Sequence, residues 1–239
     1  MSSDFNLPNG FARQAGSLFC EDTQVSDLAE QFGTPLYIYS QTAITEAFLT
    51  WKQAFGDARH LVCYAVKANS NIAILRLLAS LGSGFDIVSG GELERVLTAG
   101  GDAAKVVFSG VGKSPAEIRR ALEVGIRCFN VESSSELYLI EKIASERGDI
   151  ARISIRINPD VDAKTHPYIS TGLKENKFGV NAQQAVELYR YAQGASHLQP
   201  VGVDCHIGSQ LTEVAPFVES VQHLRDLVLE LRKSGINIE

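Results

Sequence analysis

The constraint that acts hardest on this chain is a repeat. Short runs rich in Val, Ile and Phe (61–66, 85–88, 105–108, 128–131, 153–157 and 201–207) alternate with longer segments of helical period. The polar residues at or near the ends of the first five runs are Lys67, Asp86, Ser109, Glu132 and Arg156, at separations of 19, 23, 23 and 24 positions. Continuous apolar runs of this length read as strands buried on both faces, the habit of parallel sheets. A spacing near 23 positions favours a repetitive (β/α) barrel over an open doubly wound sheet. The next strand end, His206, comes 50 positions later because the segment 166–179 (HPYISTGLKENKFG) intervenes.

Helices are expected between the strands, over 42–55, 71–81 and 90–99, from Ser114-Pro115, from Ser133 to Arg147, from Asn181 to Gln193 and from Glu213 to Lys233. Pro115 falls in a first helical turn, where its missing N–H costs least. PLYIYS (35–40) reads as one more strand ahead of the repeat. The expected organisation is an N-terminal segment with a strand over 1–40 and an incomplete (β/α) barrel over 41–239. Six strand–helix units are present in the pattern, whereas a closed barrel of this type needs about eight. The expectation is therefore an α/β chain truncated after about six units at SGINIE, with two sheet edges left open.

The charge balance, 22 Lys+Arg against 28 Asp+Glu, argues against a general binder of nucleic acid or anionic membrane. No stretch approaches the roughly 18 apolar residues that a spanning helix needs, and the start MSSDFNLPNG has no secretory pattern. Cys20, Cys63, Cys128 and Cys205 show no CxxC spacing and read as reduced, mostly buried thiols of a cytosolic protein.

Two phosphate-loop patterns fail. Gly112-Lys113-Ser114 ends like a P-loop, but Val107 stands where its first glycine is required. Gly82 and Gly84 open a GxG whose third glycine position is Ile87. Lys67 is more informative, because it ends an apolar strand immediately before a helix. Desolvated inside a barrel, its amine would be available for imine chemistry; the plainer reading is a lysine reaching solvent at the strand mouth. His206 and Ser209, in DCHIGSQ, read either as an imidazole lying on a planar cofactor beside a phosphate-binding hydroxyl, or as a satisfied core histidine. Asp86 and Arg156 point to the same rim, as site residues or as an ion pair bracing the barrel. Glu92 and Glu94 open a helix and read as structural. The segment 166–179 is long and polar, as functional loops on barrel tops are.

Together FGTPLYIYS, YAVKANSN, GFDIVSGGELERVLTAGG, VVFSGVGKS, FNVES, RINPDVDAKTHPYISTGLKENKFG and VDCHIGSQ resemble the diaminopimelate decarboxylases. These belong to the fold-type III pyridoxal 5'-phosphate (PLP) group, with the ornithine and arginine decarboxylases and alanine racemase. The likeness runs from about residue 30 to the end. It implies a PLP-binding (β/α)8 barrel of the alanine racemase-like type, a C-terminal β domain, and a cytoplasmic homodimer acting on a small amino acid. It implies that Lys67 holds PLP covalently, His206 stacks on its ring, Ser209 contacts its phosphate, and Asp86 and Arg156 line the site. The activity implied is decarboxylation of meso-2,6-diaminopimelate to L-lysine. The family's glycine-rich phosphate loop, its acid for the pyridine nitrogen, its substrate-binding arginine and the Cys and Tyr of its β domain would all fall beyond Glu239. The chain alone is accordingly expected to be inactive or nearly so. The competing readings are another fold-type III decarboxylase of the arginine/ornithine type, or a non-catalytic paralogue that binds PLP or a partner; intact Lys67, His206 and Ser209 weigh against the latter.

Overall fold

The chain begins with an antiparallel hairpin rather than with the repeat. A computed structural model describes residues 7–158, 178–209, 211–236 and 238. Strands β1 (Phe11–Gln14), β2 (Ser17–Cys20) and β3 (Thr23–Gln24) form a small antiparallel sheet followed by α1 (Val25–Phe32). Residues 35–40 are not the expected strand. Pro35 has no N–H for a ladder, and Tyr37 (84% exposed) and Tyr39 project outward from extended backbone that ends as a helix cap. Ser40 Oγ accepts from Ala43 N at 3.0 Å, opening α2 (Gln41–Ala54). Glu21 accepts from Ser40 Oγ at 2.9 Å and Thr42 N at 2.7 Å, which pins the hairpin to that helix. Gly10, at φ +81°, passes so close that a Cβ there would lie 2.0 Å from Ser40 Oγ.

The repeat then unfolds as read. Strands β4 (Cys63–Ala65), β5 (Gly84–Ile87), β6 (Val106–Phe108), β7 (Cys128–Val131), β8 (Ala151–Ile157) and β9 (Leu198–Cys205) form one parallel sheet in sequence order. They alternate with α3 (Ile72–Ser80), α4 (Gly90–Thr98), α5 (Pro115–Val124), α6 (Ser134–Arg147), α7 (Ala182–Gly194) and α8 (Ala215–Lys233). Several helices start on short polar caps that the sequence displays: Ser89, Ser114, Ser133 and Asn181 each accept from the backbone three residues on. Ser114 and Glu117 complete a capping box, and the Glu117 carboxylate also accepts from Gly90 N at 2.6 Å, tying the starts of α4 and α5. A doubly wound sheet reverses its strand order midway. Here the order never reverses and successive helices α2 to α6 pack on one another, as in a barrel wall, with β4 and β9 at the two edges among the described residues.

The two faces of this sheet differ in a way the apolar runs conceal. Phe85, Ile87, Val106, Phe108, Phe129, Val131, Ile153, Ile155 and Ile157 face the helices and make the core with residues such as Leu75, Leu93, Ile118, Leu137 and Tyr189. The alternate positions Asp86, Asn130, Ser154 and Arg156 turn inward, and all but Asp86 are at least nine-tenths buried. The strands are buried on both faces, but the inner one is polar, held by hydrogen bonds between its own side chains. One irregularity interrupts the ladder: Ile153 pairs with Pro200 but Ser154 with Gly202, so β9 carries an extra residue, Val201. The fully buried Tyr189 of α7 plugs it, donating to Gly202 O at 2.6 Å and accepting from Ile155 N at 3.0 Å.

Candidate functional site

The C-terminal ends of the strands surround a cavity of about 530 Å³. All five residues singled out from the sequence, Lys67, Asp86, Arg156, His206 and Ser209, line it. So do Ser109, Gly110, Asn130, Glu132, Phe178 and Asp204. The segment 166–179 lies outside the described residues except for Phe178 and Gly179; Phe178 presents its ring to the Arg156 guanidinium at 5.7 Å.

Lys67 sits on the 3-10 turn Val66–Ala68 just past β4 and is exposed, in keeping with the plainer of its two sequence readings, a lysine reaching solvent at the strand mouth. What β4 achieves is position, carrying the amine to the cavity mouth. His206 follows β9, where Gly208 N donates to its Nδ1 at 3.2 Å, leaving the ring proton to Nε2. Burial lowers the imidazole below its ordinary pKa, and the charges of Arg156 and Lys67 push the same way. The ring is therefore neutral at pH 7, suited to lie flat against another ring. Ser209 is exposed at the rim.

Asp86 and Arg156 do not form the bracing ion pair that was the plainer reading. Arg156 Nη1 donates instead to both oxygens of Glu132, at 2.8 and 3.0 Å, because β7 and β8 are adjacent and bring these two strand ends side by side. Glu132 Oε1 also accepts from Gly110 N at 3.2 Å. Asp86 belongs to a second line: Ser109 Oγ donates to it at 2.6 Å, Asn130 Nδ2 donates to Ser109 Oγ at 3.0 Å, and Ser154 Oγ donates to Asn130 Oδ1 at 2.5 Å. Burial raises Asp86 above the usual carboxylate range, against the hydrogen bond from Ser109 and the nearby Lys67 and Arg156 charges. Asp204, on β9 opposite Arg156, is pushed up to about 6 by burial, with Glu132 and Asp86 adding to the rise over the opposing pull of Arg156. Burial and Asp204 push the Cys205 thiol to about 11, so it stays protonated at neutral pH.

The sequence marks Ser109 and Glu132 only as strand ends and Lys113 only in a phosphate-loop pattern that fails, and it gives no prominence to Asn130, Glu136 or Asp204. A polar residue alternating with apolar ones inside a short strand, as Asn130 does in CFNV and Asp204 in VGVDC, is the signal that marks an inward position.

Residues 41–239 match the family model described as the pyridoxal-binding domain of pyridoxal-dependent decarboxylase. The chain belongs to that family. Among relatives of this decarboxylase domain, the diaminopimelate decarboxylase of Neisseria meningitidis serogroup A is 59% identical over 223 residues, covering 93% of this chain and 55% of that protein. That of Haemophilus influenzae is 58% identical, covering 97% of this chain and 56% of its own length. The crystal structure of diaminopimelate decarboxylase from Helicobacter pylori complexed with L-lysine matches at a TM-score of 0.87 and 51% identity, over 90% of this chain and 54% of that one. The M. jannaschii enzyme in co-complex with L-lysine matches at a TM-score of 0.87 and 44% identity, over 97% and 55% respectively. The chain thus spans about half the length of the relatives it matches.

The family's cofactor is pyridoxal phosphate, and the residues present fit it. The cavity offers an exposed primary amine to a carbonyl, a neutral imidazole to a planar ring, and the Ser209 hydroxyl to an anion. Arg156 Nε, moreover, is buried without an acceptor among the described residues, an unmet donor beside the cavity.

Proposed function

We infer that the complete protein decarboxylates meso-2,6-diaminopimelate to L-lysine and CO2, with the cavity above β4–β9 holding its PLP. The observation that carries this reading is the convergence of Lys67, Asp86, Arg156, His206 and Ser209 on one cavity, in a domain 59% identical to a diaminopimelate decarboxylase. When bound, PLP supplies an electron sink for cleaving a bond at the carbon that bears the substrate's amine.

The chain's own residues supply placement and charge. Lys67 would hold the cofactor through its exposed amine, the one lysine lining the cavity among the described residues. Neutral His206 would lie against one face of the ring, and Ser209 would donate to the phosphate. Arg156, steadied by Glu132, and Asp86 would set the local charge beside the ligand. The same reading takes the complete protein to be a cytoplasmic homodimer acting on a free amino acid. That rests on the resemblance, and is compatible with the described helices, none of which is long and apolar enough to cross a membrane.

The test is borohydride reduction of the full-length protein with PLP, followed by peptide mapping and an assay of CO2 release from meso-diaminopimelate. Label confined to the Lys67 peptide, lost with activity in Lys67→Ala, is the expected result. Scattered label, or CO2 release undiminished in Lys67→Ala, refutes it.

A further inference from the structure

A buried charged side chain lies just outside the lining of the cavity. Lys113 has a side chain with no exposed surface, beneath the cavity and outside its lining. A buried ammonium is costly unless each of its three donors is met. All three are: Nζ donates to Gly110 O at 2.7 Å, Asn130 O at 2.8 Å and Glu136 Oε1 at 2.6 Å.

Each acceptor leads to the site. Gly110, held at φ +93° where Val88 Cβ would crowd any Cβ at 3.3 Å, has its carbonyl fixed by Lys113 while its N–H donates to Glu132. Glu136, the ion-pair partner, accepts from the backbone N of Glu132 at 3.3 Å through its second oxygen. Asn130 carries the line through Ser109 to Asp86. Two of the three contacts therefore converge on Glu132, the carboxylate that clamps Arg156.

We propose that Lys113, with Glu136, is a positioning residue of the cofactor site, setting the Arg156 guanidinium through Gly110 and Glu132 without touching the ligand. The inference rests on the PLP reading of the cavity. A buried pair that only braced the fold would affect stability, and would affect ligand binding independently of Arg156. A positioning pair acts through Arg156, so the two effects must couple.

The experiment is equilibrium binding of pyridoxal phosphate to the full-length protein in a double-mutant cycle. Removing one member of a buried pair strands the other, so both change together in Lys113→Met/Glu136→Gln. The expected result is a rise in Kd of about tenfold when Arg156 is present and no further rise in an Arg156→Met background. Should that variant not fold, Glu136→Gln alone weakens the hold on Lys113 while keeping an acceptor. It is expected to raise Kd about threefold only where Arg156 is present. Equal rises in both backgrounds, or none in either, overturn the inference while leaving the cofactor reading intact. Wild-type protein that takes up no PLP overturns that reading and this inference with it.

Discussion

Tyr189→Phe removes one oxygen and keeps the ring, and its effect can be worked out from the contacts at the β8–β9 irregularity. The hydroxyl is fully buried; it donates to Gly202 O and accepts from Ile155 N where Val201 breaks the ladder register. Each of these hydrogen bonds contributes about 1 kcal/mol net, and each backbone group left buried without a partner adds a desolvation penalty of about 1–3 kcal/mol. Water has no room to repair them beside a side chain this closed. Allowing for partial relaxation, the expected loss is about 2–4 kcal/mol of unfolding free energy. The loss should appear as a lower urea midpoint at unchanged m-value, with the Ile155 amide exchanging faster than its neighbours on β8. Arg156 and Asp204 lie two or three residues beyond the irregularity, facing each other, so PLP affinity should fall as well. A loss below about 0.5 kcal/mol with Ile155 protection unchanged would show that the ladder supports itself and that the hydroxyl is incidental.

Two further outcomes follow from the same geometry. Asp204 has a folded-state pKa of about 6 against an ordinary 3.8, so the folded state binds its proton more tightly than the unfolded one. Stability from this group is therefore lost as pH rises through that window. Asp204→Asn should stabilise the protein by up to about 3 kcal/mol above pH 7, with the gain vanishing by about pH 3; urea midpoints at both pH values check it, and a pH-independent difference refutes it. Expressed as a 239-residue polypeptide, the chain presents β4 and β9 as edges among the described residues, together with exposed Trp51, Phe55, Phe217 and Val221. Sedimentation velocity should show concentration-dependent self-association, and a sharp monomer that unfolds cooperatively would contradict it.

How much was legible is clearest at particular residues. Ser89, Ser114, Ser133 and Asn181 announced their helices because a cap is a contact across three residues, and its chemistry lies within one glance of sequence. Asp86 and Arg156 were legible as rim residues because each lies one residue from the end of a strand whose length is set by its own apolar run. PLYIYS misled, since alternating aromatic and aliphatic residues resemble a strand whether or not a neighbour exists to pair with it. The hairpin over 11–24 went unread for the opposite reason: its strands are short and largely polar, and gain their order by pairing with each other and by the Glu21 contacts to α2.

By itself the sequence determined the alternation of strand and helix, the parallel order that such an alternation enforces, and the delivery of Lys67, Asp86, Arg156, His206 and Ser209 to one end of the sheet. Those follow from local periodicity and from the rule that a strand's last residues all reach the same rim. Only the tertiary structure decided the partners. Arg156 is held by Glu132 and not by Asp86, and Lys113 is buried against Glu136, because register between strands and the path of the 109–114 loop fix which charges meet. A buried charge must take the acceptors that packing leaves within about 3 Å, and residues 23 or 24 positions apart acquire that distance only when the chain has folded.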